Sequence, residues 1–167
     1  MKTENSSLVR PPFEKFPELE TENLHLREKL LTDIPAIIEI IVYDGKHAQS
    51  KEEAGKVLGR INRDYINGQT ISWGIVVKGK NKMIGTCGFY RGFDNAVGEI
   101  GYVLKESYRG KGIMVEALKA VISFGFNSLK LDTIIAFTGN DNRRSIRLLE
   151  KLHFLEIENE EKNNDRK

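Results

Sequence analysis

Apolar and polar positions alternate along this chain in two periods. Leu24-His25-Leu26-Arg27 changes character at every residue, as a half-buried strand does. Ile34, Ile37, Ile38 and Ile41 then recur at helical spacing, with Thr32 or Asp33 as the cap and Pro35 in the first turn. Asp44-Gly45-Lys46 breaks that run. Ser50 followed by Glu53 reads as a capping box. It opens a helix that ends at Asn67-Gly68, with the stripe Ala54, Val57, Leu58, Ile61 and Tyr65. Ile71 to Val77 and Met83 to Tyr90 read as strands around the turn Lys78-Gly79-Lys80-Asn81. Gly85 and Gly88 inside the second strand mark a bulge or a close backbone approach. After the turn Gly92-Phe93-Asp94-Asn95, Val97 to Leu104 is a strand. Met114, Ala117, Leu118, Val121, Ile122 and Gly125 form the inner face of a helix reaching about Asn127. Leu131 to Thr138 is rich in strand formers, and Asp141 is placed to cap a helix with stripe Ser145, Leu148, Leu149 and Leu152. Phe154 to Ile157 reads as a short last strand.

Meander turns precede the central helix and helical connections follow it. That order predicts a mixed α/β (α+β) fold, one mostly antiparallel sheet flanked by helices. A proline-rich arm (residues 1–19, with Pro11, Pro12 and Pro17) packed through Phe13 and Phe16 leads into one domain over residues 20–157, followed by a charged tail over 158–167. At 167 residues and 40% hydrophobic, the chain can bury one substantial core. A net charge of +2 offers no general case for nucleic-acid binding. The single cysteine, Cys87, excludes an internal disulfide framework and fits a reducing compartment. Ile34 to Val42, the best candidate for a span, is short and contains Pro35 and Glu39, so it does not cross a membrane. The N-terminus lacks a signal-peptide core, so the expectation is a soluble, cytoplasmic protein with no membrane partner. His25, His47 and His153 share no ligand spacing with other metal-binding residues, so no metal is expected.

The chemistry centres on Tyr108-Arg109-Gly110-Lys111-Gly112-Ile113-Met114, a basic glycine turn between a strand and a helix. The first turn of a helix presents N–H groups without partners, and its dipole favours negative charge. Glycines admit an anion close to the main chain. Spacing alone leaves two readings: a phosphate or pyrophosphate seat, or a tight surface turn opening a helix.

The rest of the chain separates them. Glu20-Thr21-Glu22-Asn23-Leu24-His25-Leu26-Arg27, Ile84-Gly85-Thr86-Cys87-Gly88-Phe89, Glu99-Ile100-Gly101-Tyr102-Val103-Leu104, Tyr108 to Gly112, Glu116-Ala117, and Asn142-Arg143-Arg144-Ser145 with Leu148 to Phe154 occur in one order. Together they resemble the GNAT superfamily of acetyl-CoA-dependent N-acetyltransferases, and within it the branch of ribosomal-protein N-terminal acetyltransferases. The resemblance covers about residues 20–154. It implies a GNAT-like fold, acetyl-CoA as co-substrate and an amine acceptor such as a protein N-terminus. The pyrophosphate would then lie on the backbone of Arg109, Gly110, Lys111, Gly112, Ile113 and Met114. The pantetheine arm would pair with Tyr102, Val103 and Leu104, and Asn142 would hydrogen-bond it. Three departures stand out. Met114 replaces a small residue and is expected to crowd the first helical turn. His153 stands where the family has glycine. The family's further strand pair after Phe154 is replaced by a charged tail, which leaves an incomplete sheet edge that a second copy could pair with.

Acetyl transfer needs a neutral amine, a polarised thioester carbonyl and a protonated leaving thiolate. Glu99 is the candidate base; its plainer reading is a salt-bridge partner. Leu149 falls in the slot of the superfamily's acidic tyrosine, so Ser145 is the candidate donor to the thiolate, against a reading as a packing residue. The oxyanion donor expected by analogy is the Val103 N–H. Cys87 reads as a buried small residue, and Trp73, Tyr90 and Phe93 as core or acceptor-lining residues. The alternatives are acetylation of a small amine (a polyamine or aminoglycoside) and a non-catalytic CoA-binding module. An RNA- or ribosome-binding role through Arg109–Lys111 and Arg143–Arg147 conflicts with the balanced charge.

Overall fold

The computed structural model describes residues 7–157. The chain divides into two compact units, Met1–Phe137 and Thr138–Lys167. The first holds one six-stranded sheet of order β1-β2-β5-β6-β7-β8. Its strands are β1 (Leu19–Glu20), β2 (Leu24–Arg27), β5 (Ile71–Val77), β6 (Met83–Tyr90), β7 (Val97–Leu104) and β8 (Thr133–Ile135). All pairings are antiparallel except β7 with β8. Between β2 and β5 lie α1 (Ile34–Ile37), the hairpin β3 (Val42–Tyr43) and β4 (Lys46–His47), and α2 (Lys51–Ile66). Helix α3 (Ile113–Asn127) connects β7 to β8. The second unit holds α4 (Arg143–Lys151). This is the mixed, mostly antiparallel sheet with flanking helices that the pattern predicts.

Each face of the sheet has its own core. On one, Ile34 and Ile37 of α1 and Ala54, Val57 and Leu58 of α2 pack with Val76 and Met83, and Val103 joins them. On the other, α3 lies against Phe89: a methyl at Gly125 would come within 2.7 Å of that ring. The arm packs as its aromatics suggest. Phe13 meets Phe124 edge-on, Phe16 meets Tyr65 and Trp73, and the Trp73 indole donates to the Pro17 carbonyl at 2.6 Å.

Some elements differ from expectation. The isoleucine run is not one helix: the 3-10 turn Leu31–Asp33, α1 and the 3-10 turn Ile38–Ile40 follow one another, with Ile37 at φ −123°. Consecutive β-branched side chains fit a regular helix poorly. Ser50 does cap α2, accepting from Glu53 N at 3.1 Å, but the Glu53 carboxylate reaches Gln49 N rather than the cap residue. Strand β8 covers only three of the eight residues expected, because β7 pairs with it no further than Glu99–Ile135. The N-cap of α4 is Asn142, not Asp141. Asn142 N closes a turn onto Gly139 O, which moves the helix start one residue on, and the Asn142 side chain accepts from Ser145 N at 3.2 Å. Phe154 to Ile157 form no strand, and Leu155 and Ile157 are largely exposed.

Candidate functional site

Strand β7 positions the site. Lys105 N, just beyond its end, donates to Ile84 O on β6 at 2.9 Å. Bonded and non-bonded residues alternate in an antiparallel pair, so Lys105, Val103, Gly101 and Glu99 turn their main-chain groups toward β6. Ile100, Tyr102 and Leu104 turn theirs the other way, toward the edge that β8 leaves after Glu99. The expectation of Val103 as oxyanion donor is therefore corrected. Its amide serves the β6 ladder, and Tyr102 and Leu104 line the edge left by β8.

The glycine turn follows directly. Gly110 and Gly112 have φ of +74° and +75°, a conformation costly for any residue with a Cβ. A methyl at either would meet nothing within 4 Å, so they are required by the backbone and the space above the turn is open. Gly112 is the N-cap of α3 and supplies no side-chain cap; the first helical bond is Glu116 N to Gly112 O at 3.1 Å. The N–H groups of Ile113, Met114 and Val115 thus begin the helix ahead of its hydrogen-bond ladder. Met114 does not crowd them as expected. Its side chain is buried with Ala117 and Leu118 on the core side of α3, because helix geometry turns that position inward. Arg109 Nε donates to Leu104 O at 3.0 Å, and Lys111 Nζ to Ser107 O at 3.2 Å.

Beside this turn lies a cleft of about 510 Å³ lined by Thr21, Gly112, Val115, Glu116 and Lys119, among others. Glu116 braces it. Its carboxylate accepts from Thr21 Oγ1 (2.5 Å), Asn23 N (2.8 Å) and Asn23 Nδ2 (3.1 Å). Burial works against the charged form, but these bonds and the nearby Lys78 hold Glu116 below the usual carboxylate range. Glu116-Ala117 belonged to the sequence pattern, but nothing in it assigned the side chain this bracing role.

Glu99 lies on the α1–α2 face with Gly101 and Val103, directly across from Tyr90. Its side chain is 23% exposed and pairs at 3.6 Å with Arg91, which is 75% exposed. Both readings of Glu99 thus keep a basis: it is accessible, and it has an ion-pair partner. In the second unit, the Asn142 carbonyl oxygen is engaged as the α4 cap, which leaves its amide NH2 as the group available to a ligand. Ser145 sits half-buried in the first turn of α4, and Leu149 is buried. His153 has φ +64° and closes α4 by donating to Glu150 O, while Phe154 N donates to Leu149 O. That double bond pattern is what a glycine normally supports at this point. Cys87 is fully buried, and its burial pushes the thiol up to about 12, which removes it as a nucleophile. Among the described residues no three His, Cys, Asp or Glu side chains come together. None of their helices is long and apolar enough to cross a membrane.

Comparison with known proteins places the chain in a family and a fold. Residues 23–155 fit the family model described as "Acetyltransferase (GNAT) domain". The N-acetyltransferase YoaA of Bacillus subtilis is 33% identical over 147 residues, 83% of this chain and 83% of its own. The N-acetyltransferase p20 of Bacillus licheniformis is 39% identical over 103 residues; that match spans 61% of this chain and 58% of p20. The fold is shared with a solved ribosomal L7/L12 α-N-protein acetyltransferase holding coenzyme A, 23% identical, with a TM-score of 0.70 over 80% of this chain and 81% of that one. The chain belongs to the GNAT acetyltransferase family, enzymes that draw their acetyl group from acetyl-CoA.

Proposed function

We propose that this enzyme acetylates a protein N-terminal amine. The observation that carries the cofactor side is the run from the open edge of β7 into the uncapped start of α3, held together by the Arg109–Leu104 hydrogen bond. Pyrophosphate lies on the main chain from Arg109 through Met114, its hydrogen bonds coming from the N–H groups after Arg109, whose own N–H donates to Glu106 O at 3.1 Å, and the helix dipole and Lys111 favour its charge. The pantetheine arm follows the edge at Tyr102 and Leu104, where an amide on that edge receives the developing oxyanion. The Asn142 NH2 group donates to the arm.

Glu99 takes a proton from the acceptor ammonium, directly or through water. The amine nitrogen then attacks the thioester carbonyl carbon. The C–S bond breaks, the proton that the nitrogen sheds passes to the departing sulfur, and coenzyme A leaves as the thiol, with Ser145 donating a hydrogen bond to the sulfur. Arg91 must yield its place at Glu99 as the ammonium arrives. A protein N-terminus is preferred over a small amine because the shared fold extends to a ribosomal-protein acetyltransferase.

The test begins with a thermal shift at saturating acetyl-CoA, which is expected to raise the melting temperature by mass action. Thiol release is then followed with N-terminal peptides, spermidine and an aminoglycoside. Turnover with peptides supports the proposal. Turnover with small amines alone replaces the acceptor, and the absence of any shift removes the cofactor site.

A further inference from the structure

The sheet face beside Glu99 carries a polar chain, buried at Ser72 and half-buried at Lys29, Thr86 and Tyr90, for which the acetyl-transfer scheme has no role. Tyr90 stands directly across from Glu99 on β6. Its ring does not stand up from the sheet but lies along it: a methyl at Gly101 would come within 3.0 Å of the ring edge. Gly88, paired with both Gly101 and Ser72, would place a methyl 2.6 Å from the Ser72 side chain. Gly101 thus leaves a slot that the Tyr90 ring fills, while a methyl at Gly88 would strike the β5 main chain at Ile71 O and Ser72 Cα. At the far end of the slot the Tyr90 hydroxyl engages Ser72 and Thr86. Ser72 in turn accepts from Lys29 Nζ, at 2.5 Å to its hydroxyl and 3.0 Å to its carbonyl.

One step of this chain has a fixed direction. An ammonium only donates, so the Ser72 hydroxyl accepts from Lys29 and has its own proton left for Tyr90. The Tyr90 hydroxyl is then free to donate to Thr86, which also lies on this face. Lys29 makes no ion pair among the described residues, so its charge is spent on the serine. Burial pushes Lys29 down to about 8 and Tyr90 up to about 12. A chain of this cost, anchored on the residue that pairs with the candidate base, is a device for fixing that residue's ring.

We propose that Lys29, acting through Ser72, is a positioning residue that pins the Tyr90 ring flat over Gly101, and that the pinned ring forms the wall against which the acceptor's N-terminal residue seats beside Glu99. This rests on Glu99 being the base, as proposed above. A ring free to swing up would occupy the space next to the carboxylate and displace the acceptor. A ring held down leaves room for a small N-terminal side chain.

Two measurements on the full chain test it. With 13C-tyrosine labelling, the Tyr90 ring resonances in Lys29→Met and Ser72→Ala are expected to move and broaden, and in Lys29→Arg to stay near the wild-type position. Unchanged resonances in Lys29→Met overturn the proposal whatever the enzyme's activity. Steady-state kinetics with an N-terminal alanine peptide then read the consequence. Tyr90→Phe and Lys29→Met are expected to raise the peptide KM about 10-fold, the worth of one lost hydrogen bond in this chain, with acetyl-CoA binding unchanged. An unchanged peptide KM in Tyr90→Phe overturns the proposal while leaving the acetyltransferase reading intact. A wild type that binds acetyl-CoA but transfers to no peptide or amine overturns the functional reading, and the acceptor wall with it.

Discussion

Arg109 reaches back past the turn it opens, and its Nε donates to the Leu104 carbonyl at 3.0 Å. That one bond ties the last residue of β7 to the first residue of the glycine turn. It therefore sets the distance between the strand edge and the helix start that acetyl-CoA must bridge. Arg109→Ala is expected to weaken acetyl-CoA about 10-fold, through loss of a charge-assisted bond and of the turn's geometry. Calorimetric titration measures it, with circular dichroism confirming an intact fold. Equal affinity in the variant contradicts this role.

Gly112 tests whether the turn is shaped by backbone demand. A methyl there meets nothing, so Gly112→Ala is expected to cost only the left-handed conformation, about 1–2 kcal/mol. For a chain of this size that is a drop of about 2–8 °C in melting temperature. The acetyl-CoA affinity falls as well, because the added methyl stands where the anion approaches. Denaturant unfolding and cofactor titration on the same sample separate the two effects.

If Glu99 is the base, Glu99→Gln is expected to lower kcat/KM about 100-fold near pH 6.5 and far less near pH 9.5, where the amine is already neutral. Acetyl-CoA binding stays unchanged. A pH-rate profile over that range checks it, and parallel profiles for the two proteins remove Glu99 from the role.

Arg27 and Asp33 form a paired, mostly buried contact at 2.7 and 2.8 Å, and Leu30 N adds a third bond to the carboxylate at 2.8 Å. Burial opposes the Asp33 charge, but Arg27 and the Leu30 amide outweigh it and hold Asp33 below the usual carboxylate range. A depressed carboxylate stabilises the fold above its unfolded-state value, and that contribution is lost as pH falls through the folded-state value. Asp33→Asn is expected to cost about 2–4 kcal/mol at pH 7 and to narrow toward wild type in acid. Urea unfolding followed from pH 7 down to about pH 2, below the lowered folded-state value, reads the difference.

His153 carries a conformation that costs a side chain about 1–2 kcal/mol, partly offset by the entropy glycine loses on folding. His153→Gly is expected to stabilise the protein by about 0.5–1 kcal/mol, read as a rise in the urea midpoint at unchanged slope.

Read alone, the sequence determined what depends on near neighbours. Strand alternation, the Ser50 cap and the glycine turn are set within a few residues, so pattern reveals them. The order of Glu99–Leu104, Arg109–Gly112 and Asn142–Ser145 was enough to point to the family. Tertiary structure decided the rest. Which strand amides face outward depends on where β8 leaves β7, a pairing across more than thirty residues, and that turns Val103 toward β6 while Tyr102 and Leu104 keep the edge expected of all three. Met114 turned from an obstacle into a core residue once the helix phase was fixed against the sheet. Phe154 to Ile157 has strand character but no partner edge among the described residues, and a strand exists only through its partner. Lys29, Ser72 and Tyr90 lie on three different strands or their ends, and nothing in their spacing joins them. Only the pleat, with glycine at 88 and 101, brings them into one chain beside Glu99.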